Sequence, residues 1–257
     1  MEKRHSNIGI KQTVRFEWMQ KTVNLLLAGL DVAAIRQELH GYLAERMGSG
    51  AIGTRSDEAR SFAVTNLMRI WVTPDPDLVA LRDTALACLR DEPTAELAVH
   101  WAMISAAYPF WFNVARQAGR LLNLQDQITH AQIVQRLKEQ YGDRQTVSRN
   151  TQFVLRSFIA WGVLKDSSTT GCYEKTQPVI IANRNLALLL IESALRATPE
   201  GKAALPLLLN APAFFPFHLP AFTGDFIARN AERIHVARYG LDEELLKLRE
   251  EQRIQIQ

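Results

Sequence analysis

Hydrophobic residues recur at helical spacing along most of the first 126 residues. The stretches TVRFEWMQKTVNLLLAGL, EARSFAVTNLMRIWV and LVALRDTALACLRD each place apolar side chains three or four positions apart. Asp31, Asp77 and either Ser56 or Asp57 stand before helical stretches, in the position of an N-cap. Pro109 lies inside a longer apolar run and marks a bend or boundary there. The pattern predicts an N-terminal helical domain over residues 1–126.

The pattern changes at residue 127. Thr129 precedes the short amphipathic stretch HAQIVQRLKEQY, and Gly142 follows it in the position of a C-cap glycine. A second amphipathic stretch over residues 147–161 leads into the polar segment KDSSTTGCYEK, where Gly171 suits a hairpin turn. After the strand-like YEKTQPVII, the stretch NRNLALLLIESALRAT returns to helical spacing. Residues 127–197 are therefore predicted to form a winged-helix-like domain.

Residues 198–257 form the third predicted part of the chain. Five prolines between positions 199 and 220 indicate an irregular packed segment, and the charged stretch over residues 225–252 is expected to form a last helix. The fold class predicted for the whole chain is mainly α, with a helical bundle as its body, a winged-helix-like DNA-binding portion and a small β-hairpin.

The helix predicted over residues 147–161 has two contrasting faces. Its apolar stripe consists of Val147, Thr151, Val154, Leu155, Phe158 and Ile159. The opposite face carries arginine and glutamine, the side chains that read guanine and adenine in the DNA major groove, where helix-turn-helix domains place the start of their second helix. Small hydroxyl and basic residues of the hairpin suit phosphate contacts. The expected DNA-binding residues are Arg144, Gln145, Ser148, Arg149, Gln152, Arg156, Lys165, Ser168, Thr169, Thr170 and Lys175.

The positive charge of the chain is compatible with DNA binding but does not require it. The chain carries a formal net charge of +3, and residues 129–175 alone hold seven Lys or Arg against four Asp or Glu. The alternative is a packing helix whose outer face is simply solvated, and winged helices also serve as protein-interaction modules. An RNA-binding protein of the antitermination type shares the same basic surface.

Two aromatic segments, YPFWF (108–112) and FFPF (214–217), suit either the core or a contact surface. The proline-rich second segment is the better candidate for a protein interface, through Phe214, Phe215 and Phe217. This gives the second function hypothesis, a scaffold subunit that docks partner proteins of a larger assembly.

The sequence contains no recognisable catalytic constellation. GSGAIG (48–53) matches a dinucleotide-binding string but follows a helix instead of a strand, and the six histidines are scattered without metal-ligand spacing. We therefore expect no catalytic residue, no metal and no cofactor. Two distant cysteines, Cys88 and Cys172, and a basic N-terminus without an apolar region after it indicate a reduced, cytoplasmic protein. The longest aliphatic run, 186–191, is far too short for a membrane span.

The segment SRNTQFVLRSFIAWGVLKDSSTTGCYEKTQPVIIANRNLALLLIESAL resembles the late part of the BrxA family of BREX phage-defence systems. Its Arg-Asn-containing helix, glycine turn, short hairpin and Pro-Val-Ile-Ile strand follow the family's order, and KTVNLLLAGLDVAAIRQEL with RSFAVTNLMRIW follows its early helices. The similarity spans roughly residues 18–195 and departs in the tail after Thr198. It implies an all-helical body, a winged-helix-like portion, double-stranded DNA binding in a bacterial defence setting, and no catalytic residues.

Overall fold

The computed structural model describes residues 2–239 and 243–249, and the chain is mainly helical there. The α-helices are α1 (Glu2–Ser6), α2 (Phe16–Leu27), α3 (Val32–Leu43), α4 (Asp57–Leu67), α5 (Val79–Asp91), α6 (Glu96–Ala107), α7 (Pro109–Leu122), α8 (His130–Tyr141), α9 (Gln145–Ala160), α10 (Arg184–Ala197), α11 (Leu205–Leu209) and α12 (Gly224–Asn230). The strands are β1 (Gln127–Thr129), β2 (Leu164–Asp166), β3 (Cys172–Lys175), β4 (Val179–Ile180), β5 (Lys202–Ala204), β6 (Phe217–His218), β7 (Ile234–Tyr239) and β8 (Glu243–Leu248).

Helices α6 and α10 form the centre of the protein. Residues 98–107 of α6 and 186–197 of α10 are buried without interruption. A helix that is buried on every side has no solvated face and is stable only when it is surrounded by other elements. Tyr108 and Pro109 separate α6 from α7, because proline cannot continue the hydrogen-bond pattern of the preceding turn but suits the first position of a new helix. The boundary expected at Pro109 is confirmed.

An aromatic cluster ties the C-terminal half of α9 to this centre. Trp101 stacks on Phe158 with ring centroids 5.1 Å apart, and Trp111 lies 5.1 Å from Trp161. Aromatic pairs of this kind add roughly 0.5–1.5 kcal/mol to the free energy gained from burial alone. The orientation of α9 is therefore fixed by the core.

Three small sheets complete the described part of the chain. In the first, β3 lies between β1 and β2 and pairs antiparallel with both. In the second, β4 pairs parallel with β6. In the third, β8 lies between β5 and β7, again antiparallel.

The last sheet corrects the helix predicted over residues 225–252. Helix α12 covers only its start, and strands β7 and β8 occupy 234–239 and 243–248. Ile234 and Leu246 are buried while His235 is exposed, which is the two-residue period of a strand. Residues 240–242 and 250–252 of the predicted helix lie outside the described residues.

Predicted helix starts are confirmed at Asp31, Ser56 and Thr129, whose side chains accept hydrogen bonds from the first turns of α3, α4 and α8. The prediction for Asp77 is wrong. Its carboxylate binds the Arg4 guanidinium at 2.8 Å, and this ion pair holds the N-terminus against the helices.

Candidate nucleic-acid interface

Helix α9 is anchored by the apolar stripe that its sequence predicts. Val147, Val154, Leu155 and Phe158 are fully buried, and Ile159 is partly buried. Two hydrogen bonds fix the inner face further. The backbone N–H of Val14 donates to Ser157 Oγ at 2.9 Å, and Trp161 Nε1 donates to the Val14 carbonyl at 2.8 Å. These bonds hold the C-terminal half of α9 to the N-terminal segment.

The first half of α9 projects its polar side chains outward. Arg144, Gln145 and Arg149 are exposed, while Ser148 and Gln152 are partly buried. The Arg149 guanidinium lies 5.8 Å from the ring of Phe153, one turn later. No carboxylate within the described residues forms an ion pair with either arginine, so both charges stay available to a ligand.

The N-terminus of α9 adds a positive end to this surface. Arg144 occupies the N-cap position, and because its side chain carries only donors it makes no capping hydrogen bond with the first turn. The free N–H groups of a first turn together carry about half a positive charge, which favours an anion. The start of α8 supports this end, because His130 Nε2 lies 2.9 Å from the backbone carbonyl of Ser148.

The predicted hairpin consists of β2 and β3, joined by a short turn. The φ of Gly171 is +79°, a left-handed conformation that glycine adopts without strain. Ser168, Thr169 and Thr170 are exposed at the tip, and Lys175 is exposed at the end of β3. Gln152 Nε2 lies 3.5 Å from Tyr173 Oη, so the hairpin borders the outer face of α9. The structure thus brings the predicted helix and hairpin residues onto adjoining surfaces.

Two of the predicted cations are already paired within the protein. Arg156 Nη1 lies 2.9 Å from Asp166 Oδ1, and Lys165 Nζ lies 3.1 Å from Glu174 Oε2. The hydrogen bond from Lys165 lowers the pKa of Glu174, together with smaller contributions from Ser167 and Gln127. Exposed pairs of this kind are worth about 0–1 kcal/mol and open readily. Their carboxylates nevertheless reduce the positive potential that this part of the surface offers to an anion.

The Asp166 and Glu174 carboxylates, with Gln127 and His130, are the residues of this surface that the sequence analysis missed. Glu174 stands directly opposite Lys165 in the β2–β3 register, so knowledge of the hairpin register would have revealed that pair. The contact between Arg156 and Asp166 joins a helix to a strand and carries no comparable local signal.

The three phenylalanines assigned to a partner surface require a correction. Phe214 and Phe217 are 3% and 6% exposed and belong to the hydrophobic core. Phe214 packs on Phe112, Phe217 packs on Trp101, and the partly buried Phe215 contacts both Trp101 and Phe158. The proline-rich segment therefore completes the core, because its rings fill space beside α6, α7 and α9.

The described residues contain no group of three His, Cys, Asp or Glu side chains placed to hold a metal ion. None of the described helices is both long and apolar enough to cross a lipid bilayer. No protein-family model, no curated protein and no solved structure matches the chain.

Proposed function

We propose that this protein binds double-stranded DNA, with the start of α9 in the major groove. The observation that carries the proposal is the exposed outer face at the start of α9, where Arg149 and the N-cap residue Arg144 have no carboxylate partner within the described residues. The inner face of α9 packs against the core, and its outer face remains exposed to a ligand.

The arrangement of the surrounding elements supports this proposal. The chain order β1, α8, α9, β2, β3 and the sheet order β1-β3-β2 match the order expected of a winged helix, and this match supports the proposal. Helices α8 and α9 are separated by residues 142–144, a turn of the length found in helix-turn-helix motifs. In such motifs the second helix lies in the groove and the first crosses behind it.

Individual roles follow from position on this surface. Arg149 and Gln152 would face base edges, whereas Arg144, Gln145 and Ser148 lie beside the helix N-terminus and suit phosphate oxygens. The turn of the hairpin would contact the backbone through its hydroxyl groups, with Lys175 at its base. Arg156 and Lys165 contribute less than the sequence suggests, because Asp166 and Glu174 partly neutralise them.

The setting proposed for this activity is bacterial defence against phage, and it rests on the resemblance to the BrxA family in sequence alone. The protein would act there without catalysing a reaction, as a DNA-binding component. The competing scaffold hypothesis loses its main support, since the aromatic side chains that it required lie in the core.

A fluorescence-anisotropy titration of a labelled duplex tests the function class. We expect binding that weakens steeply with salt: three to five phosphate contacts give a slope of log K against log[salt] of about −3 to −4.5. Unlabelled duplex should compete better than structured RNA of equal length. Failure of the folded protein to bind duplex at low salt would refute the proposal, and stronger competition by RNA would reassign the surface to an RNA ligand.

A further inference from the structure

An open cleft lies beside the N-terminus of α9. It has a volume of about 300 Å³ and is lined by His5, Ser6, Gln140, Tyr141, Arg144 and Pro199. The lining comes from the end of α1, the end of α8, the start of α9 and the loop after α10, so four separate parts of the chain meet there. Its size is at the lower limit of small-molecule sites, which suits a small polar group.

Positive charge surrounds this cleft. Arg144 lines it directly, and Arg116 on α7 lies next to the lining, where its Nη2 donates to Oε1 of the lining residue Gln140 at 3.3 Å. Arg120 lies one helical turn further on the same face of α7 and is exposed. Burial and the charge of Arg120 both lower the pKa of Arg116, while the neighbouring Tyr141 acts in the opposite direction.

The acidic side chains near the cleft do not neutralise these arginines. Asp143 is paired with Lys138 at 2.8 Å, and no ion pair within the described residues joins a carboxylate to Arg116, Arg120 or Arg144. The Nε atom of Arg116 is buried and finds no hydrogen-bond partner among the described residues. Arg116 is thus a cation that is partly withdrawn from water and left without a counter-charge, which is costly, and an anion in the neighbouring cleft would lower that cost.

We propose that this cleft binds a phosphate group, held by Arg116 and Arg144 with Gln140 beside them. A phosphate oxygen accepts several N–H donors at once, which matches the planar donor fork of arginine. The neighbouring N-terminus of α9 adds favourable N–H dipoles. The phosphate group belongs either to the DNA backbone next to the groove that α9 occupies or to a free phosphate compound. Only the first source rests on the proposed DNA-binding function.

Two measurements on the full chain test this site. The first compares the melting temperature in inorganic phosphate with that in chloride at equal ionic strength, since a ligand that binds only the folded state raises it. The second measures the salt dependence of duplex affinity. Both use wild type, Arg116→Gln and Arg120→Gln, with Arg36→Gln on an exposed face of α3 as the matched control. Arg120→Gln covers the case in which Arg116→Gln fails to fold.

The outcomes separate the two sources of phosphate. Stabilisation by phosphate that the α7 variants lose, and the control retains, identifies a free phosphate ligand. A salt slope that becomes shallower by about 0.9 in either α7 variant identifies a backbone phosphate. If wild type binds no duplex but is stabilised by phosphate, the proposed function fails and this site stands. If the α7 variants match the control in both measurements, the site is refuted.

Discussion

His100 makes the stability of this protein dependent on pH. Its ring is fully buried in α6 and lies edge-on to Phe16, Trp71 and Trp161, with centroids 5.3, 5.4 and 6.4 Å away. Neither ring nitrogen has a hydrogen-bond partner among the described residues. Burial therefore lowers the pKa of His100 from 6.5 to about 3, because the charged imidazolium would lose its hydration without compensation.

The sign and size of the effect follow from this pKa difference. The unfolded chain takes up a proton near pH 6.5, and the folded chain does so only near pH 3, so acid favours unfolding over that interval. The stability contributed by neutral His100 is complete above pH 6.5 and is lost as the pH falls. Between pH 7 and pH 5 the loss is about 2 kcal/mol, and each further pH unit costs about 1.4 kcal/mol down to pH 3.

Urea denaturation at pH 7, 6 and 5 measures this loss. His100→Leu removes the titrating group and keeps a similar volume, and His100→Gln removes it while keeping a polar side chain. We expect the free energy of unfolding of both variants to fall by about 2 kcal/mol less than that of wild type between pH 7 and pH 5. Equal pH dependence in wild type and in both variants would refute the argument.

Three further predictions concern packing and charge. A Cβ at Gly119 would stand 1.8 Å from the backbone carbonyl oxygen of Pro212, so Gly119→Ala should lower the melting temperature of the protein. The matched Gly41→Ala, in a helix with open space around it, should stabilise by up to about 1 kcal/mol, and equal effects would contradict this. Phe217→Ala should lower the free energy of unfolding by about 3–5 kcal/mol, and a loss below 1 kcal/mol would show that this ring is not part of the core. Asp166→Asn releases Arg156 and should raise duplex affinity several-fold at low salt, whereas unchanged affinity would place this pair outside the interface.

The sequence predicts structural features best where they depend on residues that are close together in the chain. The apolar stripe of α9, the Thr129 cap and the glycine turn of the hairpin each depend on residues within one or two helical turns, and all three are present. The hydrophobic period alone specified which face of α9 points inward, because burial of that stripe dominates the helix's free energy.

Prediction fails where contacts are distant in sequence. Strand β8 pairs with Lys202–Ala204 in β5, some forty residues earlier, and charged residues with helical propensity in the same stretch concealed the two-residue period of β7. The positions of Phe215 and Phe217 were hard to predict for the same reason. Their packing on Trp101 depends on how the segment folds back over α7, which no local pattern encodes.

The central claim is that the first half of α9 contacts DNA, and the most direct test is the salt dependence of duplex binding by Arg144→Ala/Arg149→Ala. The control is Arg36→Ala/Arg90→Ala, which removes the same charge from exposed positions on α3 and α5. We predict that the α9 variant binds more than tenfold more weakly at low salt, with a slope shallower by up to about 1.8, while the control stays close to wild type. Equal affinities and slopes for the two variants would contradict the account and make α9 a packing helix with a solvated outer face.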